Sequence, residues 1–286
     1  VAYADIYRYP LTVDEIARYL VGVKASEDEV DAALGALTNG NGPLLRRDEY
    51  VMLRSEEDLV ALRHRRERTA RRMWPRAIAY GEAIARLPFV RMVAVTGALT
   101  MGNVEPGDDI DYFIVTEPGR VWLARFLVVQ MVVKPADRQG VEVCPNYLIA
   151  SDALALEERD LFHAHELVQM IPIYGMATYR ALRAANKWAL RFLPNAADPP
   201  RIEQVLGQSE SHSLGRGLTE TVLGTPPGTW LDRREMARMQ QKLTSENGGS
   251  EVEVAPDRCK GHIGSHGHKA LEAFAARVDR WRTRDG

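Results

Sequence analysis

Two carboxylates one residue apart, Asp109 and Asp111, are the side chains of this 286-residue chain whose type and spacing speak most directly of chemistry. Side chains alternate across a β-strand. A strand carrying both would therefore aim them at one face, about 7 Å apart along the backbone, with Ile110 on the other. Two carboxylates held together repel, and burial adds a desolvation cost, unless a cation neutralises the pair. A hard divalent ion such as Mg²⁺ suits them, because it takes oxygen ligands and commonly joins carboxylates to phosphates. A bare Asp-x-Asp is more often a solvated strand end. The stretch before it shifts the balance: an apolar strand from Met92 to Val95, a turn at Thr96-Gly97-Ala98, and a polar connection to Asp108. The acidic strand then runs on through Tyr112 to Val115.

Positioning that stretch requires a sheet. A third strand is expected from Val141 to Ile149, with Glu142, Cys144 and Asn146 on one face and an edge or a distortion at Pro145. The apolar run Trp122 to Val133 predicts a helix packed on the sheet, followed by a loop from Lys134 to Gly140. Ahead of the sheet, Ser55 to Leu87 reads as helix, with Pro75 starting a new segment. Between Arg63 and Arg72 this helix is dense in arginine, and Glu67 alone cannot neutralise it. The run calls for a phosphate-rich ligand or for an acidic patch elsewhere on the protein. Helices are also expected from Ser151 to Met170 and from Met176 to Leu193. In the first, His163, His165, Glu166 and Gln169 suit a face lining a pocket better than a zinc site, because His-x-His-Glu lacks the i, i+4 spacing of paired ligands.

At the N-terminus, Thr12 with Glu15 and Ser26 with Glu29 form two capping boxes, each opening a helix. Leu44 to Arg47 and Tyr50 to Leu53 follow as two short strands. Two capped helices and a hairpin resemble a winged helix-turn-helix, which implies DNA binding through the second helix. That helix opens on Glu27, Asp28 and Glu29, an acidic turn unsuited to phosphates, so docking or dimerisation is the better expectation. Near the C-terminus a Gly/Ser/Thr-rich stretch from Gly207 to Gly228 and the run from Ser245 to Ser250 suggest flexible segments. An amphipathic helix is expected from Trp230 to Leu243, and another from Lys269 to Arg282. Cys259, His262, His266 and His268 offer zinc-type ligands at a spacing that matches no closed zinc module; a polar turn is the simpler expectation.

Gly97-Ala98, ten residues, then Asp109-Ile110-Asp111 resembles the DNA polymerase-β-like nucleotidyltransferase superfamily, whose pattern is Gly-Ser or Gly-Gly after one strand and Asp-x-Asp in the next. The wider layout is similar to bacterial nucleotidyltransferase-domain proteins. The resemblance covers residues 93–150 best. It implies an α+β fold, a small mixed sheet with flanking helices, preceded by a winged-helix-like domain (1–54) and basic connecting helices (55–92) and followed by a helical region (151–286). It implies a Mg²⁺- or Mn²⁺-dependent enzyme that moves a nucleoside monophosphate from an NTP to a hydroxyl or amine, with release of pyrophosphate. Asp109 and Asp111 would hold the metal, and Thr96, Gly97, Ala98 and Thr100 would face the phosphates. Ala98 stands where the family has serine, which leaves Thr96 or Thr100 to supply a hydroxyl. Glu142 is the best match for the family's third carboxylate, with Asn146 a neutral alternative on the same face. A catalytically degenerate, nucleotide-sensing DNA-binding regulator is the alternative, and a partner-binding protein without either activity a third.

Composition is that of an ordinary globular protein: 45% apolar and 27% charged, with 37 Lys and Arg against 39 Asp and Glu. Net charge therefore points to no polyanionic partner, and a small-molecule acceptor is expected ahead of a nucleic acid. No apolar run approaches the ~20 residues of a membrane span. Two widely separated cysteines, Cys144 and Cys259, suggest reduced thiols and a cytoplasmic location. Nothing in the sequence speaks to the oligomeric state.

Overall fold

The computed structural model describes residues 1–39, 42–55, 57–200, 214–245, 253–261 and 264–282. Both capping boxes form, on helices Val13–Arg18 and Glu27–Thr38. Strands β1 (Leu44–Arg47) and β2 (Tyr50–Leu53) pair as an antiparallel hairpin at the expected residues. Leu11 bridges Val51, and a small core of Tyr9, Ile16, Val30, Leu34, Leu44 and Val51 closes the unit.

The long helix Leu59–Ala85 follows, and here the expectation of two segments is corrected: Pro75 lies inside one continuous helix. Pro75 is exposed, as is Arg71 four residues earlier, so the carbonyl that loses its bond can face water. Ala70, Ala77 and Ile84 meanwhile pack on the sheet and hold both halves in line.

That helix is also where the N-terminal unit is fastened. Arg63, 6% exposed, lies over the rings of Tyr9 and Tyr50 at 4.2 and 4.7 Å. It bonds both oxygens of Glu15 (2.6 and 2.9 Å), Glu67 (2.8 Å) and the carbonyl of Pro10. Arg66 pairs with Glu105 at 2.8 Å. The inward half of the arginine run is thus neutralised by acids of the same chain, while Arg65, Arg68, Arg71 and Arg72 are exposed. Arg63→Ala would strand two largely buried carboxylates. Its expected cost is about 3–5 kcal/mol in chemical denaturation, and a loss under 1 kcal/mol would show that the pairs are cosmetic.

Six strands make one mixed sheet, in the order β6-β3-β4-β5-β8-β7. They are β3 (Val90–Val95), β4 (Ile110–Thr116), β5 (Val143–Ala150), β6 (Ile171–Tyr174), β7 (Glu253–Ala255) and β8 (Arg258–Lys260). Among the described residues only β4 and β5 run parallel; the other pairings of this sheet are antiparallel. A parallel pair needs a crossover, supplied by helix Val121–Val128. It continues through a π turn (Val129–Val133) into Lys134–Asp137, where a loop was expected.

Helices cover both faces. Tyr112, Ile114 and Leu148 pack with Trp122, Val128 and Ile84 on one side. Phe113, Val115 and Ile149 pack with Leu167, Tyr179 and Leu182 on the other. The alternation expected for this strand is therefore observed, although β4 begins at Ile110 and Asp109 precedes it.

The C-terminal region is not simply helical. It supplies β6 at one edge of the sheet and the β7–β8 hairpin at the other. Its helices are Leu161–Gln169, Met176–Ala185, Ala189–Phe192, Leu214–Leu223, Pro226–Ser245 and Gly264–Arg282. The helix expected from Ser151 starts only at Leu161, where Asp160 caps it. The one expected from Met176 to Leu193 breaks at Asn186, whose side chain bonds the backbone of Leu154, Leu156 and Leu182. Of the two segments expected to be flexible, residues 207–213 and 246–250 lie outside the described residues, whereas 214–228 is corrected: it forms helix Leu214–Leu223 and the start of helix Pro226–Ser245. Among the described residues no helix is long and apolar enough to cross a membrane.

Candidate metal centre and cleft

At the start of β4 the two carboxylates reach one side of the sheet. Asp109, Asp111 and Cys144 each offer a ligand atom within 4.8 Å of the others, a grouping able to hold a metal ion. Cys144 is there because β5 pairs Asp111 with Cys144.

The register then slips by one residue before Phe113↔Tyr147, a bulge at Pro145, which has no N–H to give the ladder. Pro145 therefore does mark a distortion. The expected third carboxylate is corrected here. Glu142 precedes the strand, is exposed, and lines a different cleft with Arg72, Arg76 and Asp108; only its backbone carbonyl engages β4, accepting from Ile110 N–H at 2.9 Å. The third member of the cluster is a thiol.

Gly97 turns the chain directly over Asp111. Its φ is +70°, and a Cβ built there would lie 2.6 Å from Asp111 Oδ2. The glycine is thus needed twice, for a left-handed backbone and to leave room for the carboxylate. Thr96 N–H donates to the Asp111 carbonyl at 3.0 Å and extends the β3–β4 ladder to this point.

Residues Gly97–Met101 form a short 3₁₀ turn, within which the Thr100 hydroxyl donates to the Gly97 carbonyl at 2.8 Å. Thr100 is thereby used locally, and Ala98 is exposed toward a neighbouring hollow. Of the expected phosphate-facing residues, Thr96 and Gly97 line the cleft with the two aspartates, as does Asn146, the neutral alternative to the third carboxylate. Tyr9 hydroxyl donates to the Met101 carbonyl at 2.7 Å, so the N-terminal unit braces this turn.

The electrostatics are those of a crowded, partly buried carboxylate pair. Burial, then Asp109, then Glu166 push the Asp111 carboxyl up to about 7, partly offset by a hydrogen bond from the Cys144 thiol. Burial and the two aspartates raise the Cys144 thiol, which is therefore neutral at pH 7. Burial alone pushes Glu166 up to about 7.

The cleft around them has a volume of about 670 Å³. Its far wall comes from elements distant in sequence: His163 and Glu166 on helix Leu161–Gln169, Lys260 on β8, and Lys269 on the closing helix. A smaller hollow of about 370 Å³ adjoins it through Gly97 and Glu166, lined by Tyr3, Tyr7, Tyr9, Tyr19 and His165. The pocket-lining role expected of His163, His165, Glu166 and Gln169 is what the helix shows. His165 points away from His163, stacks on Tyr3 at 4.0 Å and bonds the Leu161 carbonyl at 2.9 Å. Burial lowers its pKa to about 4.

Lys260 escaped the sequence reading; its only local signal was a three-residue strand. In the other candidate cluster, Cys259 is buried and His268 is exposed beside Glu272, while His262 and the side chain of His266 lie outside the described residues.

As a donor set, two carboxylates with a neutral thiol behind them fit a hard divalent cation. Oxygens from Asp109 and Asp111 would hold it, and the remaining positions fall to water or phosphate. No family model, curated protein or solved structure matches the chain.

Proposed function

We propose that the chain is a divalent-metal-dependent nucleotidyltransferase, which moves a nucleoside monophosphate from an NTP to the hydroxyl or amine of a small molecule. The carrying observation is the Asp109–Asp111 pair under the Gly97 turn at the wall of a cleft large enough for a nucleotide. Bound Mg²⁺ or Mn²⁺ would neutralise the pair and stabilise charge on the phosphates. In the reaction the acceptor oxygen or nitrogen bonds to the α-phosphorus, the α–β P–O bond breaks, and pyrophosphate leaves with that electron pair. Glu166, with its carboxyl near 7, is the cleft residue suited to take the acceptor's proton. The walls hold both partners in line and exclude water, which is where most of the rate in such a displacement arises.

A small acceptor is favoured over nucleic acid. The second N-terminal helix exposes Glu27, Asp28 and Asp31, and the inward arginines are consumed in ion pairs. A nucleotide-sensing regulator without turnover is the second reading, favoured by one feature: a thiol stands where a third carboxylate was expected.

The test supplies α-labelled NTPs, Mg²⁺ or Mn²⁺ and a small-molecule extract. One pyrophosphate should appear per labelled adduct, and Asp109→Asn with Asp111→Asn should lower the rate by roughly 10³-fold or more. Undiminished turnover in that double variant would sink the assignment. Nucleotide binding without pyrophosphate would favour the sensor.

A further inference from the structure

The far wall of the cleft carries a hydrogen-bonded chain that ends on a buried cation. Asp160 Oδ1 caps helix Leu161–Gln169 through His163 N–H at 2.9 Å and bonds His163 Nδ1 at 2.8 Å. An N–H on Nδ1 facing a carboxylate leaves Nε2 as an acceptor. Lys260 Nζ lies 3.3 Å from that Nε2 and is also bonded to Glu158. The lysine side chain is 3% exposed, sits on β8 opposite Tyr147, and lines the cleft that holds Asp109 and Asp111. An ammonium has three N–H donors. Two are committed to Glu158 and His163, and the ring of Tyr147 lies 5.6 Å from Nζ, which leaves the third without an oxygen or nitrogen acceptor in the hydrogen bonds seen among the described residues.

The aspartate wall thus shares one cavity with two ammonium groups, Lys260 and Lys269, set among the carboxylates of Glu158 and Glu166. A ligand complementary to both is a polyphosphate: one end carried with a cation at the aspartates, the other accepting from Lys260.

We propose that Lys260, oriented by the Asp160–His163 chain, forms a separate anion subsite that holds the terminal phosphates of the nucleotide and then the pyrophosphate. This rests on the nucleotidyltransferase reading for the identity of the ligand, but the subsite itself needs neither metal nor turnover. The C-terminal β7–β8 hairpin, which brings Lys260 to the sheet edge, is on this account part of the binding site rather than an ornament of the fold.

The probe is pyrophosphate in EDTA, titrated calorimetrically into the Asp109→Asn/Asp111→Asn protein, where no carboxylate pair repels the anion. Adding Lys260→Gln should weaken binding by roughly tenfold to a hundredfold, the worth of a hydrogen bond to a charged group. Adding Glu158→Gln instead removes the carboxylate charge that competes for Lys260 and should tighten binding. Opposite signs in the two variants support the subsite, because a merely structural Lys260–Glu158 pair would respond alike to the loss of either partner. The proposal is overturned by equal losses in both, by an unchanged affinity with Lys260→Gln, or by no pyrophosphate binding at all. Should Lys260→Gln fail to fold, His163→Phe replaces it, with a weaker loss expected and unchanged affinity again decisive. Wild-type protein that releases no pyrophosphate from any NTP would defeat the transferase reading and leave this titration standing.

Discussion

Asp111→Asn should make the metal-free protein more stable at pH 8 and, in the same molecule, inactive. The sign follows from linkage. The carboxyl ionises at its ordinary value near 3.8 when unfolded and at about 7 when folded. The folded state therefore holds the proton more tightly, and stability is lost as pH rises from about 4 through 7. Above pH 7 the full penalty applies, on the order of 4 kcal/mol at about 1.4 kcal/mol per unit of pKa. Asparagine never ionises and can still accept the Cys144 thiol hydrogen bond. Melting curves in EDTA should show the variant above wild type at pH 8, with the gap shrinking toward pH 5. Adding Mg²⁺ should raise the wild type and leave the variant unmoved. A variant that melts at or below wild type at pH 8 would mean that the pair carries no stored repulsion. Glu166, raised by burial alone, should behave with the same sign in Glu166→Gln. Residues that weaken a fold while lining a cleft are the signature of a site kept for function rather than for stability.

Gly97→Ala is expected to cost activity far out of proportion to the single methyl added. The φ of +70° asks alanine to take a left-handed conformation, at roughly 1–2 kcal/mol. The methyl would also lie 2.6 Å from Asp111 Oδ2, so the carboxylate must shift from its place in the cluster. A displacement near 1 Å is worth about 100-fold in rate when catalysis depends on position. Metal affinity measured by Mn²⁺ titration should fall alongside kcat, while circular dichroism shows an intact sheet. Wild-type turnover in Gly97→Ala would show that Asp111 can work from elsewhere, and with it the geometry proposed for the centre would go. The outcome also separates two roles for the glycine. The resemblance assigns it to close approach of a triphosphate, whereas in the structure it makes room for the aspartate itself.

Local chemistry was legible in the sequence by itself. Thr12 with Glu15 and Ser26 with Glu29 cap their helices within a few residues, and the hairpin at 44–53 closes across two. The alternation from Asp109 to Val115 placed both carboxylates on one face and Ile110, Tyr112 and Ile114 on the other, because a period of two is written residue by residue. The histidine-bearing helix could be named as a pocket wall for the same reason.

Tertiary structure decided the rest. Pro75 stays helical because Ala70, Ala77 and Ile84 are packed on either side of it while its own face is turned to water. Cys144 replaces Glu142 at the centre because β5 begins at Val143 and pairs Cys144 with Asp111, a register set by β4 that leaves no periodic trace in residues 141–149. Lys260 meets Glu158 across 102 residues, on a strand of three residues held only by its partner β5 and its hairpin mate β7. Spacing along the chain can present two carboxylates to one face of a strand. The opposite wall of the cleft depends on contacts between residues a hundred positions apart, which no local pattern encodes.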